Sequence, residues 1–453
     1  MKILIEIWGN FEKWKEVNYY YGNENIKDSK TTFPLLFQCI NPSSVFVIVS
    51  DTLIDNYDEE YENYSHIIDQ VTIETKSFID DINKKFNTNL NDYNIIVAPG
   101  IGRFEKIEVK GNPHNFYAFI YTKLSCFITE QLEEIFSNEE IEVYLDITHG
   151  INYMTMMSYR AVKDILSILA YYYNIKFIVL NSDPSVGTQS KDLKINEIEK
   201  IIIQPGFQVY NYKDRVKILI PSKILEDNKK TEIAQFISDN IASFKNEFIN
   251  QIFYLASSIF NWVPIFIFKF FVSPEEIKKF IDKVIETFKE KIFLNKVNGA
   301  TEIVHQIDIK SSFISILQTY LICFLIEKIL GNNIVHEEIE LSKLKKIKGD
   351  FNWNRVYKMR LEKEFSKLTK VNLDNNFKKY SDLQNDKDKN DENKNKEKLD
   401  ERNFFAHCGF NYELLSIKKI SDEIFLKIND DLIKDAKDLL DKNLPRGDYD
   451  GSK

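Results

Sequence analysis

The residues best suited to chemistry lie near the end of the chain, in Glu401-Arg402-Asn403-Phe404-Phe405-Ala406-His407-Cys408-Gly409. On a helix Asn403 and His407 are i, i+4 neighbours, so the Asn amide can orient the imidazole, and the long Arg402 side chain reaches toward the same phosphate. Cutting a ribose–phosphate link without a metal needs a group that activates the 2′-hydroxyl, positive charge on the phosphorane and a proton donor for the leaving 5′-oxygen. Histidine exchanges protons near neutrality, while arginine stays charged and meets phosphate in a bidentate geometry. One copy supplies too few groups; two copies face to face supply enough. Taken alone, Arg-x-x-x-x-His occurs by chance and a single His beside an apolar helix is more often structural, so both readings stand at this point.

A second constellation lies in Val143-Tyr-Leu-Asp-Ile-Thr-His-Gly-Ile-Asn-Tyr-Met154. A buried strand runs into Thr148-His149-Gly150 and a helix follows at once, so free amides at the helix start make an anion site. Thr148, His149 and Asn152 place side-chain donors on the same rim. The first strand ends similarly in Trp8-Gly9-Asn10 and the next in Ser50-Asp51-Thr52, while Thr31 and Thr32 precede a helix. As N-caps and turn residues these groups need no ligand, and for Thr31 and Thr32 the two readings weigh equally. At Thr148–Asn152 the convergence of Gly150, His149 and Asn152 favours a nucleotide or phosphate. No G-x-G-x-x-G follows a strand, which disfavours a dinucleotide cofactor.

The elements that must position these groups are legible as continuous β-branched runs, the signature of a parallel sheet covered on both faces. Strands are predicted at Lys2–Trp8, Val45–Ser50, Asn94–Ala98, Ile141–Thr148, Lys176–Leu180 and Lys200–Ile203. Helical patterns fit between them at Phe33–Ile40, Glu59–Phe86, His114–Phe136 and Met154–Tyr173. This alternation predicts an α/β, Rossmann-like parallel-sheet domain with ligands at the carboxyl ends of its strands. Past Gln204-Pro-Gly206 the pattern changes. From Ser222 onward the chain reads as all-α with almost no strand signal, which divides it into 1–205, a helical connector at 206–300, and 301–453. Gln384–Asp400 is nearly free of apolar residues and reads as a mobile loop or an exposed helix extension.

The 453 residues carry 60 basic and 69 acidic side chains, net −9, so nucleic acid is contacted locally rather than over the whole surface. Four scattered cysteines without a Cys-x-x-Cys pair exclude a disulfide scaffold and disfavour a thiolate zinc site. Ile252–Phe271 and Phe313–Leu330 are apolar but interrupted or ended by polar residues, and they read as core helices rather than membrane spans. With no signal-peptide pattern at Met1–Trp8, a cytoplasmic protein is expected. His66, His114, His305 and His336 lack partners at ligand spacing, and no metal site is predicted. Ten Lys and Arg between Leu341 and Lys370, interleaved with Phe351, Trp353 and Tyr357, fit either single-stranded RNA binding or a solvated helix face with inward aromatics.

The run Asp146-Ile-Thr-His-Gly-Ile-Asn-Tyr-Met154 resembles the signature of CARF (CRISPR-associated Rossmann fold) domains, departing from it at Thr155, where that pattern has Pro. Trp8-Gly9-Asn10, Trp14-Lys15-Glu16-Val17 and Tyr19 are similar to the start of type III CRISPR accessory ribonucleases that join a CARF to a HEPN domain. Arg402-Asn403-x-x-x-His407 resembles the HEPN ribonuclease motif at every defined position. The resemblance implies a CARF sensor at 1–205, a HEPN ribonuclease at 301–453, and a homodimer or a higher assembly of it. It also implies cyclic oligoadenylate as activator, most often the tetra-adenylate ring, held by Gly9, Asn10, Thr31, Thr32, Asp51, Thr148, His149, Gly150 and Asn152. Single-stranded RNA is the implied substrate, cut by Arg402, Asn403 and His407 without a metal to leave 2′,3′-cyclic phosphate and 5′-hydroxyl ends. A non-enzymatic alternative is a nucleotide-sensing regulator whose helical half binds DNA or a protein, although Ser222–Phe293 shows no distinctly basic recognition helix.

Overall fold

A computed structural model describes residues 1–53, 63–88, 90, 92–104, 107–133, 140–184, 191–209, 215–297, 300–331, 334, 337–383 and 399–444. The chain forms two compact units: Met1–Gln204 with Leu219–Ala242 and Asp282–Lys310, and Pro205–Ile218 with Ser243–Ile281 and Ser311–Lys453. This division differs from boundaries at 205 and 300. The segment 206–300 is shared between the units rather than forming a connector of its own.

The first unit is built on an eight-stranded sheet. Its strands lie in the order Glu24–Ser29, Val17–Tyr21, Asp192–Ile202, Asn174–Ser182, Glu140–Asp146, Lys2–Ile7, Ser44–Ser50 and Asn94–Ala98. The last five are parallel and correspond to five predicted strands. Their β-branched runs are buried on both faces, with Ile3, Ile5, Val47, Ile48 and Val143 inaccessible to solvent. Asp192–Ile202 is longer than the predicted Lys200–Ile203 and runs antiparallel to its neighbour. The hairpin Val17–Ser29 extends the sheet beyond it. Helices Phe33–Ile40, Tyr64–Phe86, Pro113–Leu132 and Asn152–Leu169 connect the parallel strands. Asn63 and Asn112 cap the second and third, each side chain accepting a backbone N–H. Residues 59–62 and 134–136, predicted as helix, lie outside the described residues.

The chain leaves Lys2–Ile7 toward Ser44–Ser50 on one side and returns at Glu140–Asp146 on the other. That reversal opens a crevice at the carboxyl ends of the central strands. It brings Trp8-Gly9-Asn10 beside Thr148-His149-Gly150.

The second half is not free of strands. In the first unit Ile292–Val297, Ala300–His305, Ile107–Lys110 and Gly102–Arg103 form one small sheet, and Leu219–Pro221 pairs with Ile307–Ile309. In the second unit Ile339–Glu340, Glu423–Ile428, Leu415–Ile420 and Lys378–Lys379 form another. Helices dominate the rest of that unit, around Ser312–Leu330. This helix is long and apolar enough to cross a membrane, yet it is buried in the unit, as an all-round apolar core helix must be. The apolar run 252–271 breaks at Trp262, whose φ is +57°, into Asn246–Phe260 and Pro264–Phe270. Of the Gln384–Asp400 stretch, residues 384–398 lie outside the described residues.

Candidate functional site

In the second unit Arg402, Asn403 and His407 belong to one short helical segment. The helix Glu401–Ala406 starts at Asp400, whose carboxylate accepts the Asn403 N–H at 2.7 Å. Asn443 donates to Glu401 at 3.0 Å and fixes the same turn. Phe404 is buried against Phe266, which leaves Arg402 and Asn403 exposed on the outer face. His407 closes the segment, its N–H bonded to the Asn403 carbonyl at 3.0 Å. The chain then reverses through Cys408 (φ +53°) and Gly409 (φ +82°). A Cβ at Gly409 would lie 2.5 Å from Cγ1 of Val263, so only glycine fits the turn.

The His407 imidazole is oriented by Glu364 rather than by Asn403. Nδ1 lies 3.0 Å from Oε1 of Glu364, whose side chain is 5% exposed, while His407 itself is 33% exposed. Lys367 donates to both Glu364 oxygens at 2.9 Å. A carboxylate only accepts, so Nδ1 carries a hydrogen, and in the neutral form of the ring the lone pair is on Nε2. Sequence reasoning missed Glu364, which lies inside the basic stretch Leu341–Lys370. In that stretch Phe351 and Trp353 are buried, and Tyr357 stacks on Trp262 at 4.1 Å. Phe351 and Trp353 thus pack inward, while Tyr357 stays half-buried with one face on Trp262.

In the first unit the strand-end groups meet in the crevice. The Gly9 N–H donates to the His149 carbonyl at 2.8 Å, and a Cβ there would approach that oxygen to 3.0 Å. A Cβ at Gly150 would lie 2.4 Å from Oγ1 of Thr155. The His149 ring lies against Trp14 at 4.1 Å between centroids, and its Nε2 accepts the Thr32 N–H at 3.4 Å. Burial pushes its pKa down to about 3, so the ring is neutral at pH 7 with its hydrogen on Nδ1. Asn152 is exposed in the first turn of its helix, and Asn10 accepts the Glu12 N–H at 3.2 Å.

Behind this rim lies a buried acid network. Asp146 accepts the Thr148 hydroxyl at 2.5 Å, the Thr148 N–H at 2.9 Å and the Thr32 hydroxyl. Glu6 sits directly opposite Asp146 in the strand register and accepts the Trp8 indole N–H at 3.1 Å. Burial raises both acids, Glu6 well above the usual carboxylate range because it has fewer donors and faces Asp146. The threonine hydroxyls therefore do not stand free as donors, contrary to expectation for Thr148. Both hydrogens are committed to Asp146, leaving only lone pairs for a ligand. Thr31 is fully buried, its hydroxyl accepting the Phe33 N–H at 3.3 Å.

Asp51 is also turned inward. It accepts the Gly100 N–H at 2.7 Å and the Tyr64 hydroxyl at 2.9 Å, and burial lifts its pKa to about 6. It clasps two strand ends instead of facing the crevice. Of the remaining histidines, His66 is exposed, His114 half-buried and His305 fully buried beside Phe288, whereas His336 lies outside the described residues.

Residues 3–184 match a family model described as the CARF domain of the CRISPR system endoribonuclease Csx1, and residues 332–430 match its HEPN domain. The chain belongs to the CARF–HEPN family. The first match contains Glu6, Asp146 and His149; the second contains Glu364, Arg402 and His407. A CRISPR system endoribonuclease Csx1 from Methanocaldococcus jannaschii is 28% identical over 438 residues, covering 92% of this chain and 86% of that protein. This CARF–HEPN chain is accordingly a CRISPR-associated ribonuclease. Among its described residues no group of three or more His, Cys, Asp or Glu gathers into a metal site.

Proposed function

We propose that this chain is an endoribonuclease that cuts single-stranded RNA without a metal ion and is switched on by a cyclic oligoadenylate, the tetra-adenylate ring first. The observation that carries the reading is His407: partly exposed, with Nδ1 tied to a buried carboxylate and Nε2 unpartnered among the described residues, one helical turn from exposed Arg402 and Asn403. Nε2 takes the 2′-hydroxyl proton, and the 2′-oxygen attacks phosphorus. Arg402 stabilises the phosphorane charge, and the proton is returned to the 5′-oxygen as its bond to phosphorus breaks. The products are a 2′,3′-cyclic phosphate and a 5′-hydroxyl. A homodimer brings two such segments to one scissile link and places two crevices for one ring. In the crevice His149, Asn152, Asn10 and the backbone at Gly9 and Gly150 meet the ring, Thr32 and Thr148 shape its floor, and the buried Thr31 and Asp51 hold the strand ends from behind. The cytoplasm is the compartment where such a ring and RNA would be met.

The test is cleavage of labelled RNA with and without adenylate rings of different sizes. His407→Ala and Arg402→Ala should each lower ring-stimulated cleavage by about 100-fold or more while ring binding is unchanged. Full activity in either variant overturns the assignment of the site, and a strict requirement for Mg²⁺ overturns the metal-free step.

A further inference from the structure

We infer that Glu364 is a positioning residue of the ribonuclease site: it fixes the tautomer and aim of His407, and Lys367 anchors it in turn. The inference rests on the ribonuclease reading above. Three observations carry it. Glu364 lies on the helix Arg355–Leu368, 43 residues before His407, yet its Oε1 meets Nδ1 at 3.0 Å. The carboxylate is nearly inaccessible, and its described partners are His407 and, through both oxygens, Lys367. The backbone of His407 is fixed on one side by the Asn403 carbonyl and on the other by the turn at Cys408 and Gly409. What remains to be set is the rotation of the ring, and the contact with Glu364 sets it.

The chemistry gives that contact a purpose beyond packing. A buried carboxylate loses hydration that one partly exposed lysine restores only in part, so an acid serving Lys367 alone would gain little from burial. Beside an imidazole it selects the Nδ1–H tautomer, which leaves Nε2 as the base toward the 2′-hydroxyl. When Nε2 takes that proton, the imidazolium has a fixed counter-charge at 3.0 Å. No proton passes to Glu364. The proton taken from the 2′-hydroxyl goes to Nε2 and leaves with the 5′-oxygen, so the acid ends each cycle as it began. The exposed lysines and arginines of the same helix, such as Arg360 and Lys363, have no such contact with His407 and do not share this role.

The test uses the full chain activated by a cyclic adenylate ring, with three variants: Glu364→Ala, Glu364→Gln and Lys367→Gln. Glu364→Ala should lower kcat by about 10- to 1000-fold with KM within about threefold of the parent. Glu364→Gln should recover part of that loss, because its amide oxygen still accepts Nδ1–H although the charge is gone. Lys367→Gln should cost less than either. Nitrogen-15 spectra of the His407 ring supply a readout that packing alone would not move: Nδ1–H in the parent and in Glu364→Gln, and a mixture of tautomers in Glu364→Ala. Parental kcat in Glu364→Ala, or a loss of kcat in that variant with an unaltered tautomer, overturns the inference. Should Glu364→Ala fail to fold, Glu364→Gln decides: a kcat at least threefold lower at an unchanged melting temperature supports the role, and parental kcat removes it. His407→Ala separates the two levels. If it is inactive while the Glu364 variants are fully active, only the positioning role falls; if it still cleaves, the ribonuclease site falls and takes this role with it.

Discussion

His407 is placed by its neighbours in the chain as much as by Glu364. Gly409 occupies φ +82° with no room for a Cβ beside Val263, and this turn determines where the preceding helix end points. Gly409→Ala should therefore destabilise the protein by about 1–3 kcal/mol and lower RNA cleavage, as read by urea denaturation and a cleavage assay on one preparation. Unchanged stability would mean that Val263 and Ile265 yield freely. That Arg402, Asn403 and His407 share one helical segment was legible in the sequence because their spacing is local. Glu364 was not, since the contact joins helices far apart in the chain and nothing in Lys363-Glu364-Phe365 marks it out from other helix acids. The threonines were only half legible. Their position at the crevice can be read from sequence, but the direction of a hydroxyl hydrogen depends on a buried acceptor, here Asp146, that only the fold brings into place.

At the scale of elements, the crevice depends on strand ends being held in register. Asp51, at the end of Ser44–Ser50, accepts the Gly100 N–H just beyond Asn94–Ala98, and a Cβ at Gly100 would lie 2.4 Å from Oγ of Ser50. The Asp51 pKa of about 6 lies above its ordinary 3.8, so the folded chain takes up this proton before the unfolded one. Its contribution to stability is full below pH 3.8 and is lost as pH rises toward about 6, a difference on the order of 3 kcal/mol. Asp51→Asn, whose carbonyl can still accept from Gly100, should flatten the stability profile between pH 4 and 6. Melts across that range check it, and an undiminished slope would assign the titration to another group. The parallel strands themselves were plain in the sequence, being apolar runs interrupted only by single charged residues such as Glu6 and Glu142. The hairpin Leu415–Ile428 was hidden: Ser416, Lys418, Lys419 and Lys427 dilute its apolar alternation, and its turn uses Ser421 at φ +54° rather than a glycine.

For the molecule as a whole, the crevice and His407 belong to different compact units of one chain. A ring bound in the crevice can change cleavage only by as much as it prefers the cleaving state. A 100-fold preference corresponds to about 2.7 kcal/mol, and activity without the ring is then weak but not zero. If part of that preference is expressed in RNA binding, linkage makes it reciprocal: RNA must tighten ring binding by the factor by which the ring tightens RNA binding. An RNA with a 2′-deoxy group at the scissile ribose binds without being cut, so both affinities can be measured on the intact protein. The two ratios should agree, and should persist in Arg402→Lys, which keeps the positive charge but not the bidentate geometry, even as cleavage falls. A ring that stimulates cleavage at saturating RNA while leaving both ratios at one acts on the chemical step itself, on the rotation of His407 against Glu364. The ring-nitrogen spectra would then change on ring binding, and a silent spectrum would place the switch in the meeting of two chains instead.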